Sequence, residues 1–78
     1  MKKTIVITGA TDGIGKALSI LLSKDYHLAL CGRNEEKMSL LVRELGNAHV
    51  YAECFDITDG AMRHGFCQRV MQEFGAVD

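Results

Sequence analysis

Proline is absent from this chain, and so are low-complexity tracts, internal repeats and any linker-like stretch. One continuous domain over residues 1–78 is therefore expected. Long hydrophobic runs are missing as well. The amino terminus offers two lysines and then only Ile5-Val6-Ile7, too short for a signal-peptide core or a membrane span. The expected compartment is the cytoplasm, with no membrane contact. Cysteine is scarce: Cys31, Cys54 and Cys67 form no CxxC motif and are odd in number, which argues against a disulfide framework and for buried free thiols. His27, His49 and His64 are also at no ligand spacing, so no metal centre is expected. Excess charge of either sign is lacking too. Nine Lys and Arg stand against ten Asp and Glu, a net charge of −1, which excludes a broad basic surface for nucleic acid.

What is present is the composition of a folded domain, 47% hydrophobic and 24% charged. At 78 residues, folding buries only about 60–65% of the unfolded surface, so marginal stability is expected. Lys3 to Thr8 is β-branched and mostly apolar without clean alternation, the pattern of a parallel strand covered on both faces. Gly9, Gly13 and Gly15 follow. Ile14, Ala17, Leu18, Leu21 and Leu22 then recur at helical spacing, which predicts a helix packing that face on the sheet and ending near Lys24-Asp25.

His27 to Cys31 is a second apolar run, closed by Gly32-Arg33-Asn34, with Asn34 a suitable N-cap before Glu35 and Glu36. Met38, Leu41, Val42 and Leu45 form the next stripe, ended by Gly46-Asn47. His49 to Cys54 reads as a third strand. Thr58 or Asp59 can then cap a helix that carries Met62, Phe66, Val70 and Phe74 on one face. Gly75 to Asp78 looks like a turn into a further strand. The alternation βαβαβα implies an α/β fold, a Rossmann-type parallel sheet of which this is the first half. In the expected order 3-2-1, the loops after Thr8, Cys31 and Cys54 all open on the carboxyl edge, where such sheets bind ligands.

Glycines between a buried strand and a helix N-terminus make a phosphate cradle, because the first helical N–H groups lack intrahelical partners and the dipole end is positive. A tight turn with no ligand is the plainer reading of the same residues. A P-loop is disfavoured: GxxxxGK[ST] needs glycine at Ala10 and a metal-binding hydroxyl at Ala17. At the end of strand 2, an acid would take the adenosine 2′-OH, whereas an arginine accommodates a 2′-phosphate. Arg33 stands there, either for that phosphate or as a loop residue paired with Glu35 or Glu36. Asp12 does nothing to attract an anion and is expected to satisfy loop N–H groups. Asp56 can accept from an adenine amino group, with the Ile57 backbone on the ring, or serve simply as a turn residue. Asp59 reads as a cap.

These residues resemble the short-chain dehydrogenase/reductase family. Thr8 to Gly15, TGATDGIG, is similar to its TGxxxGxG cofactor loop. Phe55-Asp56-Ile57-Thr58-Asp59 looks like its adenine-contacting segment, and Phe74 to Asp78 like the lead into a fourth strand. The resemblance implies that Gly9, Gly13 and Ile14 line the pyrophosphate and that Thr11 lies near the adenosine ribose, with Asp12 and Gly15 also counted among the cofactor-binding residues. It further implies that Arg33 selects NADP over NAD and that Asp56 and Ile57 hold adenine. Many NADP-preferring relatives carry a basic residue just before the second glycine, where this chain has Asp12. Relatives are much longer, and their catalytic Asn, Ser, Tyr and Lys lie beyond residue 78, so no residue here is assigned a catalytic role. Tyr26 and Tyr51 have no lysine at the required spacing.

The implied function is the cofactor-binding portion of an NADP(H)-dependent oxidoreductase, with hydride transfer on an alcohol or carbonyl substrate confined to the complete protein. A non-catalytic nucleotide-binding module and an inactive fragment are the alternatives. Strand 1, exposed at an edge, is expected to permit self-association.

Overall fold

The apolar runs and helical stripes become three strands and three helices in strict alternation in the computed structural model, which describes residues 3–46 and 49–75. The elements are β1 (Thr4–Thr8), α1 (Gly13–Leu22), β2 (His27–Gly32), α2 (Glu35–Leu45), β3 (Val50–Cys54) and α3 (Gly60–Phe74). All strand pairs are parallel. The order is β1-β2-β3, which reads 3-2-1 from the other edge, with Thr4 opposite His27 and Leu28 opposite Val50. This is the α/β Rossmann-type half sheet. The turn expected at Gly75 to Asp78 lies mostly outside the described residues, as does Asn47.

Alternate strand residues point to opposite faces, and each face has its own core. On one, Ile7, Leu28 and Leu30 meet Met38 and Leu41 of α2, with Leu22 of α1 packed alongside. On the other, Ala29 and Cys31 meet Phe66 and Val70 of α3, with Phe55 between the layers. Leu28, Ala29 and Leu30 of the central strand have no exposed surface. That burial on both faces explains why the strand reads as an unbroken apolar run.

The helix caps follow the sequence closely. Asn34 accepts the Lys37 N–H at 3.0 Å, and Asp59, not Thr58, caps α3 by accepting from Met62 at 3.1 Å. Phe66 and Val70 are buried as the α3 stripe predicts, while Met62 is exposed. On α2, Met38 and Leu41 are buried and Val42 faces outward.

Three expectations need correction. Of the α1 stripe Ile14, Ala17, Leu18, Leu21 and Leu22, only Leu22 packs on the core: Ile14 is 81% exposed, Leu21 69%, and Ala17 and Leu18 are exposed as well. The buried residue is Ser19, whose hydroxyl donates to the Gly15 carbonyl at 2.8 Å, with Leu22 half-buried one turn on. Small side chains let α1 sit low on the sheet, and bulkier ones are turned away. The helix also stops at Leu22, short of Lys24-Asp25. Finally, the thiols are free but not uniformly buried: Cys31 is buried, Cys54 half-buried and Cys67 exposed.

Candidate functional site

The loops that follow the three strands are stitched together at the carboxyl edge of the sheet. Ala10 N–H donates to the Cys31 carbonyl at 3.1 Å, and Phe55 N–H donates to the Gly32 carbonyl at 2.9 Å. Between them lies a cleft of about 320 Å³ lined by Gly9, Thr11, Asp12, Cys31, Gly32, Arg33, Asn34, Lys37, Phe55 and Ile57.

The glycine loop is shaped by backbone constraints. Gly9 has φ +62°, a conformation that side chains with a Cβ seldom adopt. A Cβ on Gly15 would drive into the Gly9 carbonyl, so the start of α1 lies directly against the end of β1. Asp12 N–H closes onto the Gly9 carbonyl at 3.2 Å, and Lys16 N–H onto the Asp12 carbonyl at 3.1 Å. Gly13, Ile14 and Gly15 thus form the first turn of α1, where N–H groups have no intrahelical acceptor. A hypothetical Cβ on Gly13 meets nothing within 4 Å, so open space lies beside this turn. The loop therefore fits an anionic phosphate group that approaches the backbone closely.

Five of the nine residues singled out in the sequence line the cleft: Gly9, Thr11, Asp12, Arg33 and Ile57. Gly13, Ile14 and Gly15 stand outside its lining, as does Asp56. Thr11 is buried. Arg33 forms no hydrogen bond or ion pair among the described residues, so the pairing with Glu35 or Glu36 that the sequence left open is not made. Asp12 differs from expectation. As N-cap of α1 it makes no side-chain bond to the loop N–H groups and instead faces the Lys37 ammonium, Oδ1 to Nζ 3.5 Å.

Asp56 is engaged locally. Its Oδ1 accepts the Thr58 N–H at 3.0 Å and the Thr58 hydroxyl at 2.7 Å, which holds its carboxyl below the ordinary aspartate range, with Arg33 adding a smaller effect. The bonds shape the turn that follows β3. Arg63 donates to the Ile57 carbonyl at 2.8 Å and pins the same turn from α3. Cys31, at the cleft floor, has its thiol pushed up chiefly by burial, so it stays protonated near neutral pH.

Sequence reasoning missed Lys37, Asn34, Phe55, Cys31 and Gly32 as lining residues. For Lys37 a signal existed: it lies three residues beyond the Asn34 cap, which places it in the first turn of α2 and on the loop side. Phe55 was visible only as part of a motif.

The family model for short chain dehydrogenases matches residues 3–78. Among curated proteins, the chain is 34% identical to dehydrogenase/reductase SDR family member 7B of Xenopus laevis, over 95% of this chain and 26% of that protein. It is 31% identical to a probable NADP-dependent dehydrogenase of Dichelobacter nodosus, over 95% of this chain and 70% of that protein. Among solved structures, YwfH, an NADPH-dependent reductase involved in bacilysin biosynthesis, superposes with a TM-score of 0.92 at 26% identity, over all of this chain and 33% of its own. An alcohol dehydrogenase of Thermococcus sibiricus complexed with 5-hydroxy-NADP gives 0.89 at 32% identity, over all of this chain and 35% of that one. The chain thus spans roughly a quarter to a third of the first curated relatives it matches. A parallel half sheet, a glycine loop opening on its carboxyl edge and a family match over nearly every residue lead to one assignment: this chain belongs to the short-chain dehydrogenase family.

Proposed function

We propose that the cleft holds the adenosine half of NADP(H) and that residues 1–78 act as one cofactor-binding unit of an oxidoreductase. The observation that carries this reading is Arg33, a guanidinium with no hydrogen bond or ion pair among the described residues, lining a cleft beside a helix N-terminus. In this reading Gly9, Gly13, Ile14 and Gly15 present backbone to the pyrophosphate and Thr11 lies beside the ribose. Arg33 takes the 2′-phosphate through paired N–H donors. Ile57, its carbonyl held by Arg63, packs on adenine with Phe55, and Asp56 is free to accept from the adenine amino group with its second carboxylate oxygen. NADP-complexed neighbours with the same half sheet support the choice of cofactor.

The nicotinamide, when bound, supplies hydride chemistry. For this chain's residues the task is binding and orientation, and substrate turnover on an alcohol or carbonyl carbon belongs to the complete protein, in the cytoplasm. Titration calorimetry with NADPH, NADH and 2′,5′-ADP tests the proposal. NADPH should bind at least about tenfold more tightly than NADH, a difference of one charge-assisted contact. Arg33→Asp should abolish that preference. An unchanged ratio in the variant would remove Arg33 as the selector.

A second reading concerns assembly. No described strand pairs with the outer side of β1, and the neighbouring α1 exposes Ile14, Leu18 and Leu21. An open, β-branched edge beside apolar surface favours pairing with another copy.

A further inference from the structure

A phosphomonoester carries about −1.5 to −2 charges at neutral pH, more than one arginine balances. The cleft lining contains a second cation, Lys37, and one anion, Asp12, 3.5 Å apart. We propose that Lys37 is a second specificity-determining residue for the 2′-phosphate and that it also screens Asp12, so that an acid is tolerated in the phosphate loop. The inference rests on the NADP reading above and adds to it a residue and a reason for Asp12.

The geometry favours a dual role. The first turn of α2 fixes the Lys37 backbone, since its N–H is held by the Asn34 cap at 3.0 Å, and this aims the side chain across the cleft at the glycine loop. The side chain is 56% exposed and that of Asp12 76%, so the pair is solvated and readily rearranged. An ammonium has three donors, of which Asp12 takes one, leaving two for phosphate oxygens. Arg33, four residues earlier and just after β2, lines the same cleft. Without Lys37, the Asp12 carboxylate would face the incoming phosphate unscreened.

The test uses the 78-residue chain and its Lys37→Met, Lys37→Arg, Asp12→Asn and Lys37→Met/Asp12→Asn variants, each checked for native circular dichroism. Calorimetric titration with 2′,5′-ADP, NADPH and NADH is then the readout. Lys37→Met should weaken 2′,5′-ADP and NADPH by about tenfold and NADH by less than about twofold, and Lys37→Arg should retain most of the affinity. Asp12→Asn should tighten 2′,5′-ADP only slightly with Lys37 present and several-fold more in the Lys37→Met background. The inference is overturned if Lys37→Met leaves 2′,5′-ADP unchanged, weakens NADH equally, or leaves the effect of Asp12→Asn the same in both backgrounds. If wild type favours NADPH, and Arg33→Asp removes the preference while Lys37→Met keeps it, only the role of Lys37 fails. If folded wild type binds NADH as well as NADPH, or does not bind 2′,5′-ADP, the NADP reading fails and this inference with it.

Discussion

Gly15 is where a single atom has the largest leverage, because its α-hydrogen occupies the space between the start of α1 and the Gly9 carbonyl. Gly15→Ala should lower stability by about 1–3 kcal/mol, since an added methyl must displace backbone and not a pliable side chain. It should also weaken NADPH binding. Urea unfolding monitored by circular dichroism gives the first quantity and calorimetry the second. The glycine itself was legible as part of a loop motif, and so was the placement of Arg33 and Ile57. Asp12 was legible as an anomaly only. Its partner lies 25 residues away on α2, a distance that no local pattern spans. The same holds for His27 and His49, at no ligand spacing in the chain yet 3.2 Å apart between Nε2 and Nδ1 across the β2 and β3 ends.

At the scale of elements, α3 is fastened to β3 by a polar clasp as well as by Phe66 and Val70. Arg69 donates twice to Glu53, at 2.6 and 2.7 Å, and the Tyr51 hydroxyl donates to the same carboxylate at 2.6 Å. The Arg69 bonds hold the Glu53 carboxyl below its ordinary value, with Tyr51 assisting against partial desolvation. A carboxyl depressed in the folded state stabilises fully above its unfolded pKa, near 4.5, and loses that contribution as pH falls through the lower folded value. Thermal midpoints should therefore drop below about pH 4.5 more steeply in wild type than in Glu53→Gln. At pH 7, Glu53→Gln should melt about 4–8 °C lower, the shift that roughly 1 kcal/mol produces in a domain this small. Equal pH profiles for the two proteins would show that the clasp does not carry the acid response. On α1, periodicity pointed to a single stripe of Ile14, Ala17, Leu18, Leu21 and Leu22, of which only Leu22 turns inward. The helix places Gly15, Ser19 and Leu22 inward, because close approach to the sheet rewards small side chains over the most hydrophobic stripe.

As a whole molecule, the chain is compact, with a radius of gyration of 11.4 Å against about 11.5 Å expected for a domain of this length. Among the described residues α1 exposes Ile14, Leu18, Ile20 and Leu21, and it neighbours the unpaired edge of β1. Static light scattering of the isolated 78-residue chain should show concentration-dependent association. An Ile14→Lys/Leu21→Lys variant should stay closer to monomeric mass, with unfolding free energy within about 0.5 kcal/mol of wild type, since both side chains are largely solvent-exposed. A stable dilute and concentrated wild-type monomer would exclude association through this face.

The sequence alone determined the order of elements, the parallel sheet, the cap at Asn34 and the edge on which the loops after the strands open. Each of these rests on local backbone chemistry or on hydrophobic spacing within a dozen residues. Tertiary structure decided which face of α1 is buried, which thiols are covered, and that Lys37 rather than a loop N–H faces Asp12. Those outcomes depend on which elements come to lie side by side, and the glycine loop acquires its cationic neighbours only when β2 and α2 have folded against it.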